Sequence, residues 1–477
     1  MKFKPSYTST LPSTPFLDAV NKEPFSSWDD PAATSIPFFN AIPNEIRNLG
    51  CYIAGNPGFG KSSIIQYMAL EDIRAGRGTC VIDPTGDLVK SLIEWIPEDR
   101  VADTIVFDTR NPVPIDLFSY RNPDERQVLT DQLLDIFELD NAPISKPRLQ
   151  RILGTLFDAN ENPEMRKEEN IHYRCTFLDI QRFIEDKKRF GEILKFAPER
   201  EKQWAVPIKP ADYSSITERM TPFTESPTLR TMLECKSPRL NIWDVMQQNK
   251  ILLVSLRETK TDRFIGSLIA SKFQQATFGR DSIKENERTP YALYVDECNT
   301  ILKFAGEEFE AILLRARKYQ LWLTMANQLP SDLPEPIRRK LGTIQTLILF
   351  NLDAENTRLF KHRLKTPTSW WEAIEAPKFH ALFKLPHEDP ILLRTPPFMP
   401  NVNPASCADK VWQNTLSYAP KPDTSAQSSP IRIGDNSSSN SAPVRHDKGN
   451  GNSTSQDEPS GGPPPNVPSH GSKKRDS

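Results

Sequence analysis

The run Gly55-Asn56-Pro57-Gly58-Phe59-Gly60-Lys61-Ser62 fits the pattern G-x-x-x-x-G-K-[ST], and Ser63 follows directly. This spacing is built for phosphate. Glycines let the main chain turn its N–H groups toward phosphate oxygens, where a Cβ would stand in the way. A helix starting at Lys61 would add the partial positive charge of its N-terminus. Lys61 would bridge the β- and γ-phosphates, and Ser62 would ligate Mg²⁺. A second pair of residues supplies the rest of the chemistry. The apolar run Tyr291-Ala-Leu-Tyr-Val ends in Asp296 and Glu297. Asp296 would hold Mg²⁺, which prefers hard oxygen ligands. Glu297 would polarise an attacking water. ATP and Mg are the expected ligands, because the guanine-reading pattern N-K-x-D is absent from the sequence.

Further along, Arg315, Arg317 and Lys318 close a helical pattern, and Gln328 follows the next apolar run. Each has two readings. Basic side chains favour helix C-termini on dipole grounds, but an Arg near a sheet edge can also reach a neighbouring subunit's nucleotide. Gln328 is either a loop residue or a sensor of the γ-phosphate at a strand's carboxyl end.

The elements that must position these residues alternate. Strand-like runs occupy 51–54, 79–83, 104–107, 250–256, 291–295, 321–325 and 344–350, and helical patterns start at 61 and cover 262–278, 306–319 and 353–363. Continuous apolar strands separated by helices predict an α/β fold with a mostly parallel sheet. From about 121 to 240 the pattern is helical only, at 124–138, 147–159, 177–187, 213–221 and 228–234. The expected organisation is therefore an N-terminal arm (1–47), a discontinuous P-loop ATPase domain (48–120 and 241–400), an all-helical insertion (121–240) and a largely disordered tail (401–477). The long interval between Lys61 and Asp296 fits the insertion. Phe16, Phe25, Trp28, Phe38 and Phe39 suggest an arm that packs on the body. The stretch 421–477 is rich in Ser, Pro and Gly, with no aromatic after Tyr418, so it lacks the apolar surface to offset its chain entropy.

Composition sets the outer bounds. Among 477 residues, 60 Lys and Arg face 62 Asp and Glu, for a formal charge of −2. The balance excludes a polycation that coats nucleic acid, but not a local basic patch. No apolar run approaches the roughly 18 to 20 residues that span a bilayer, and residues 1–20 lack the apolar stretch of a signal peptide. The six cysteines are scattered without CxxC spacing, which points to buried reduced thiols in a cytoplasmic protein rather than a zinc site or disulfides.

Five segments together resemble a family. GNPGFGKSS (55–63), VIDPTGDLVKSL (81–92), IPEDRVADTIVFD (96–108), YALYVDECNTIL (291–302) and ARKYQLWLTMANQ (316–328) look like the coupling ATPases of type IV secretion, of the TraG/TraD type. These belong to the HerA–FtsK class of RecA-like DNA translocases. The resemblance covers roughly residues 48–395. It implies a RecA-like P-loop domain, a homo-hexameric ring with DNA in its channel, and relaxase or secretion-channel partners. It also implies ATP hydrolysis at subunit interfaces. Carried over by match, Arg317 falls at the trans-acting arginine and Gln328 at the γ-phosphate-sensing glutamine. Asp83 lies in the DP-x-GD segment, beside the site or as a strand-end turn. Family members usually begin with transmembrane helices, and none precedes the P-loop here. A HerA-like DNA-processing motor and a virus-genome packaging motor are therefore alternative functions, and the tail 421–477 adds a third, a nucleotide-gated adaptor that recruits a cargo protein. The strandedness of the DNA is not legible. Its contacts would come from Lys146, Arg148 and Arg151, from Lys187, Lys188 and Arg189, or from Arg338, Arg339 and Lys340, each of which can also be a solvated face.

Overall fold

The computed structural model describes residues 42–419, except 43, 109–112, 138–143, 205–208, 237–239, 258, 303–305, 365–375 and 389. The expected arm contacts of Phe16 to Phe39 and the expected disorder of 421–477 lie outside these residues.

The described strands form one sheet. They are β1 (Cys51–Ala54), β2 (Gly78–Asp83), β3 (Thr104–Asp108), β4 (Ile251–Ser255), β5 (Tyr291–Val295), β6 (Leu321–Asn327), β7 (Thr346–Leu349), β8 (His380–Lys384) and β9 (Ile391–Arg394). Their order is β3-β4-β2-β5-β6-β1-β7-β8-β9. β1 to β7 pair in parallel, while β8 and β9 add an antiparallel hairpin at one edge. The chain therefore has the expected α/β class with a mostly parallel sheet. β1 to β7 were legible as apolar runs. β8 and β9 were not: β9 is four residues between Pro390 and Pro396, too short to show a period.

Strand burial explains the apolar runs. β1 to β7 are buried along their whole length, as a parallel sheet covered on both faces requires. Side chains alternate between two cores. Tyr52, Cys80 and Ile82 belong to one, and Cys51, Ile53 and Val81 to the other. Helices Lys61–Arg74, Asp87–Glu94 and Ala408–Leu416 contribute Ile64, Leu88 and Val411 to the second core. Helices Lys260–Gly279 and Gly306–Arg315 contribute Leu268, Phe273 and Phe309 to the first.

Between β3 and β4 the elements among the described residues are helical, the longest being Ser145–Glu161, Pro123–Ile136 and Ser214–Glu225. Leu129, Leu153, Phe177 and Met220 from this segment share one continuous core with the sheet face. A parallel bridge between Ile115 and Leu240 closes its neck.

Two boundaries shift. The 353–363 pattern splits into Ala354–Arg358 and Lys361–Leu364. The ordered body also runs past residue 401. Helix Ala408–Leu416 lies against the outer edge of β3, where the Thr415 hydroxyl accepts from Val106 N at 3.0 Å and Asn414 Nδ2 donates to Thr104 O at 2.9 Å. These side chains cover main-chain groups that an edge strand otherwise leaves open to another strand.

Candidate nucleotide site

The site sits where three strands end together. β6 lies between β1 and β5, so the P-loop, Asp296–Glu297 and Gln328 all emerge at the carboxyl edge of the sheet. Ligands of open parallel sheets bind at that edge.

The P-loop is held from below. Gly55 N donates to Gln328 O at 3.2 Å, and Asn56 N donates to Asn351 O at 2.9 Å. Phe350 N donates to Ala54 O at 2.8 Å, and Phe379 N to Phe59 O at 2.9 Å. Gly55 and Gly60 adopt φ of 154° and 118°. A Cβ on Gly55 would lie 2.5 Å from Phe350 Cβ, and one on Gly60 would lie 3.2 Å from Thr395 Oγ1. Pro57 and Gly58 at the loop tip are exposed, and a Cβ on Gly58 would meet nothing within 4 Å. The loop is thus fixed at its base and open at its mouth.

Lys61 is 5% exposed and donates to Gly55 O at 2.9 Å and to Asn56 O at 3.4 Å. Burial lowers its ammonium pKa, opposed by the charges of Glu297 and Asp296. Its direct partners are carbonyls, which leaves its charge available to an anion. Ser62 Oγ donates to Asp296 Oδ2 at 2.7 Å, and Glu297 N donates to Asp296 Oδ1 at 3.0 Å. Burial pushes the Asp296 carboxyl up to about 6, helped by Asp83 and Glu297 and opposed by the Ser62 hydroxyl. A hydroxyl and a buried carboxylate in contact form a hard-oxygen pair of the kind Mg²⁺ takes alongside waters and phosphate. The residues present therefore fit the metal and the nucleotide.

Glu297 has φ 39°, a conformation uncommon outside glycine and found where a site imposes it. Its Oε1 accepts from Gln328 Nε2 at 3.2 Å. The structure thus brings together Lys61, Ser62, Asp296, Glu297 and Gln328, as sequence spacing suggests. Ser63 is buried just behind them, on the first turn of the helix.

Arg317 is elsewhere. It is exposed on the turn Ala316–Tyr319, which precedes β6. The seven residues of β6, at about 3.3 Å each, put roughly 20 Å between it and Gln328. It does not reach its own chain's P-loop. Asp83 is fully buried, and its carboxylate accepts from Thr85 N at 2.9 Å, Thr85 Oγ1 at 2.8 Å and Val89 N at 3.1 Å. It tethers the start of helix Asp87–Glu94 and affects the site through its charge on Asp296.

Of the basic clusters, Arg189 is buried and paired with Asp179 at 2.7 Å. It is a core ion pair, not a surface contact. Arg338 and Arg339 both pair with Glu335, and Lys340 lies 3.5 Å from Glu310. Arg148 lies over Tyr213 and Arg151 over Trp204. Lys187 and Lys188 are exposed. Four cysteines, Cys51, Cys80, Cys175 and Cys298, are buried thiols. Among the described residues there is no cluster of three or more metal-ligating side chains, and no helix is long and apolar enough to cross a membrane.

Two residues escaped the sequence reading: Asn351 and Thr395. Asn351 accepts from Asn56 Nδ2 at 2.8 Å. Thr395 places a buried hydroxyl, without a partner among the described residues, beside Gly60. Both come from elements at the β7–β9 side, and no local pattern marks them.

No family model and no curated protein matches the sequence. Solved structures do. The bacterial conjugative coupling protein TrwBΔN70, in its unbound monoclinic form, superposes with a TM-score of 0.52 at 14% identity, covering 76% of this chain and 89% of its own. TrwB in complex with ADP and Mg²⁺ gives 0.51 at 15% identity, with the same coverage. TrwB with the non-hydrolysable ATP analogue ADPNP gives 0.51 at 15%, covering 77% and 89%. The fold is that of TrwB. At this identity the likeness is one of architecture, and the chemistry must be argued from the residues.

Proposed function

We propose that this chain is an Mg²⁺-dependent ATPase that moves DNA, working as a ring in conjugative or mobile-element transfer. The observation that carries the reading is the convergence of Lys61, the Ser62–Asp296 pair and the Glu297–Gln328 pair at one edge of the sheet. The P-loop amides and Lys61 would hold the phosphates, and Ser62 and Asp296 would hold Mg²⁺. The metal supplies charge neutralisation on the phosphate oxygens. Glu297 takes the proton of the attacking water at its carboxylate. Gln328 fixes the orientation of that carboxylate through Nε2 and is poised to exchange this contact for a γ-phosphate oxygen. TrwB has been solved with ADP and Mg²⁺ and with ADPNP, which supports ATP as the nucleotide here.

The ring rests on Arg317. It is exposed at the amino edge of the sheet, far from its own P-loop, so it can serve a nucleotide only from a neighbouring subunit. The reading includes a homo-hexamer with DNA in the channel and a relaxase or secretion-channel partner, which the motif resemblance to coupling ATPases supports. The reading places its work in the cytoplasm, with partners able to bring it to the membrane.

The test is ATP hydrolysis by the purified chain, with and without single- and double-stranded DNA, at low and moderate salt. DNA should stimulate turnover, and the stimulation should fade with salt as phosphate contacts are screened. Lys61→Ala and Glu297→Gln should each lose hydrolysis, the second while still binding nucleotide. Turnover unchanged in either variant would reject the site. Tight ATP binding with near-zero turnover, whether or not DNA is present, would favour the nucleotide-gated adaptor.

A further inference from the structure

A cavity of about 440 Å³ lies at the neck between the chain leaving β3 and the helical segment, away from the P-loop. Its size falls within the roughly 300–1,000 Å³ typical of small-molecule sites. Three cations line it: Arg166, Arg174 and Lys236. Their hydrogen-bond acceptors are main-chain carbonyls. Arg166 Nε donates to Asn160 O at 3.2 Å, Arg174 Nη2 donates to Arg166 O at 3.0 Å, and Lys236 Nζ donates to His172 O. None of the three forms an ion pair among the described residues.

The lining also holds two carboxylates, Asp116 and Glu161. Glu161 is already engaged by Arg126 at 3.2 Å and by the Tyr120 hydroxyl at 2.5 Å. Asp116 acts on the buried Lys272 ammonium. Three cations face two carboxylates in this lining, and one of those, Glu161, is already paired with Arg126, so the cavity carries excess positive charge. Burial lowers the Lys236 ammonium, and the nearby Arg189 and Arg182 charges lower it further, opposed by the carboxylates of Asp179 and Glu234. The burial and the like charges are penalties that a bound anion would relieve.

Three aromatic side chains, Phe118, Tyr120 and Phe177, share the uncharged wall with aliphatic Ile115, Leu117 and Leu233. Phe118 and Phe177 meet edge-to-face with ring centroids 6.4 Å apart, and the half-buried Tyr120 continues the surface. Cations beside aromatic rings recur where a nucleotide's phosphate and base are held together, since every base presents a π-face.

We propose that this cavity is a second, non-hydrolytic site for a nucleotide unit. Arg166, Arg174 and Lys236 take the phosphate, and the Phe118–Tyr120–Phe177 wall takes the base. The unit is either a free nucleotide or one residue of a single strand, since both offer the same chemistry. The proposal does not rest on hydrolysis at the P-loop.

The test uses the full chain and two variants: Arg166→Ala/Arg174→Ala/Lys236→Ala, and Ser119→Phe, which fills the cavity without changing its charge. One arm measures a fluorescein-labelled 15-nucleotide oligo(dT) by anisotropy across salt. The other measures AMP by equilibrium dialysis. Binding of ADPNP with Mg²⁺ to the P-loop and the melting temperature are the controls for folding, and neither should move. If the unit belongs to a strand, the triple variant binds oligo(dT) at least tenfold more weakly. Its log–log salt slope then flattens by about 0.7, for the one strand phosphate that loses its cations. If the unit is free, the variants lose one bound AMP per chain and oligo(dT) is unaffected. Unchanged oligo(dT) and AMP binding in both variants overturns the proposal. Should the triple variant fail to fold, Ser119→Phe decides the question alone.

Discussion

Replacing Asp296 with Asn would isolate the electrostatic strain in the phosphate site. Asp296 is 3% exposed. Burial, with Asp83 and Glu297 nearby, raises its carboxyl from 3.8 to about 6. A carboxyl raised on folding binds more protons in the folded chain than in the unfolded one between those two values. It therefore removes stability as pH rises through that window. At about 1.36 kcal/mol per pH unit, the full effect is on the order of 3 kcal/mol above pH 6 and vanishes well below pH 4. Asn has nearly the same shape and can keep the Glu297 N–H bond, but it has no charge to desolvate. In metal-free buffer, the stability of Asp296→Asn relative to wild type should grow by about 2 kcal/mol between about pH 4.5 and about pH 7.5. Urea and thermal unfolding in EDTA at a series of pH values would measure this difference. Adding Mg²⁺ with ADPNP should stabilise the wild type and leave the variant nearly unmoved, because the metal uses the charge that the variant lacks. A stability difference constant with pH, or one that shrinks as pH rises, would refute the reasoning.

Other outcomes follow from the same geometry. Mixing Arg317→Ala with Lys61→Ala subunits should recover part of the ATPase activity that each variant lacks alone, because some interfaces then pair an intact Lys61 with an intact Arg317. Recovery at no ratio would sink the shared-site reading. Gly55→Ala should abolish nucleotide binding in an equilibrium assay and destabilise the chain by about 2 kcal/mol or more, since its Cβ would sit 2.5 Å from Phe350 Cβ at φ 154°. Asp83→Ala should cost roughly 1–3 kcal/mol in urea unfolding, from three lost hydrogen bonds to the buried carboxylate, while ADPNP still binds. Thr415→Val should lower the melting temperature by leaving Val106 N without its acceptor, at a cost of about 1–3 kcal/mol, with ATP hydrolysis unchanged.

Much of the candidate nucleotide site was legible because its residues are local signals. A P-loop is one unbroken turn from strand to helix, so the glycines, Lys61 and Ser62 are fixed by their own neighbours. β1 to β7 were readable because a strand buried on both faces must be apolar throughout, and such runs stand out. The same logic places Asp296 and Glu297 at a strand end. Arg189 shows where the reading stops. By type and position it belonged to a surface run of three basic residues, yet it is buried against Asp179, a partner only the fold could supply. The Ala408–Leu416 helix was hidden in a Pro- and Ser-rich region. Its stability comes from the β3 edge rather than from its own composition.

The sequence by itself determined the residues on offer: a Gly-rich turn leading into Lys61 and Ser62, two carboxylates at a strand end, and a mostly parallel sheet to carry them. Only the tertiary structure decided which of these meet. Strand order is set by long-range pairing, so nothing local says that β6 lies between β1 and β5 and brings Gln328 to Glu297. Nor does local sequence show that Arg317 sits at the opposite edge of the sheet, since that depends on which end of β6 faces the nucleotide. The cation-lined cavity at the neck is likewise assembled from segments far apart in the chain, and a cavity is a property of packed surfaces that no single segment possesses.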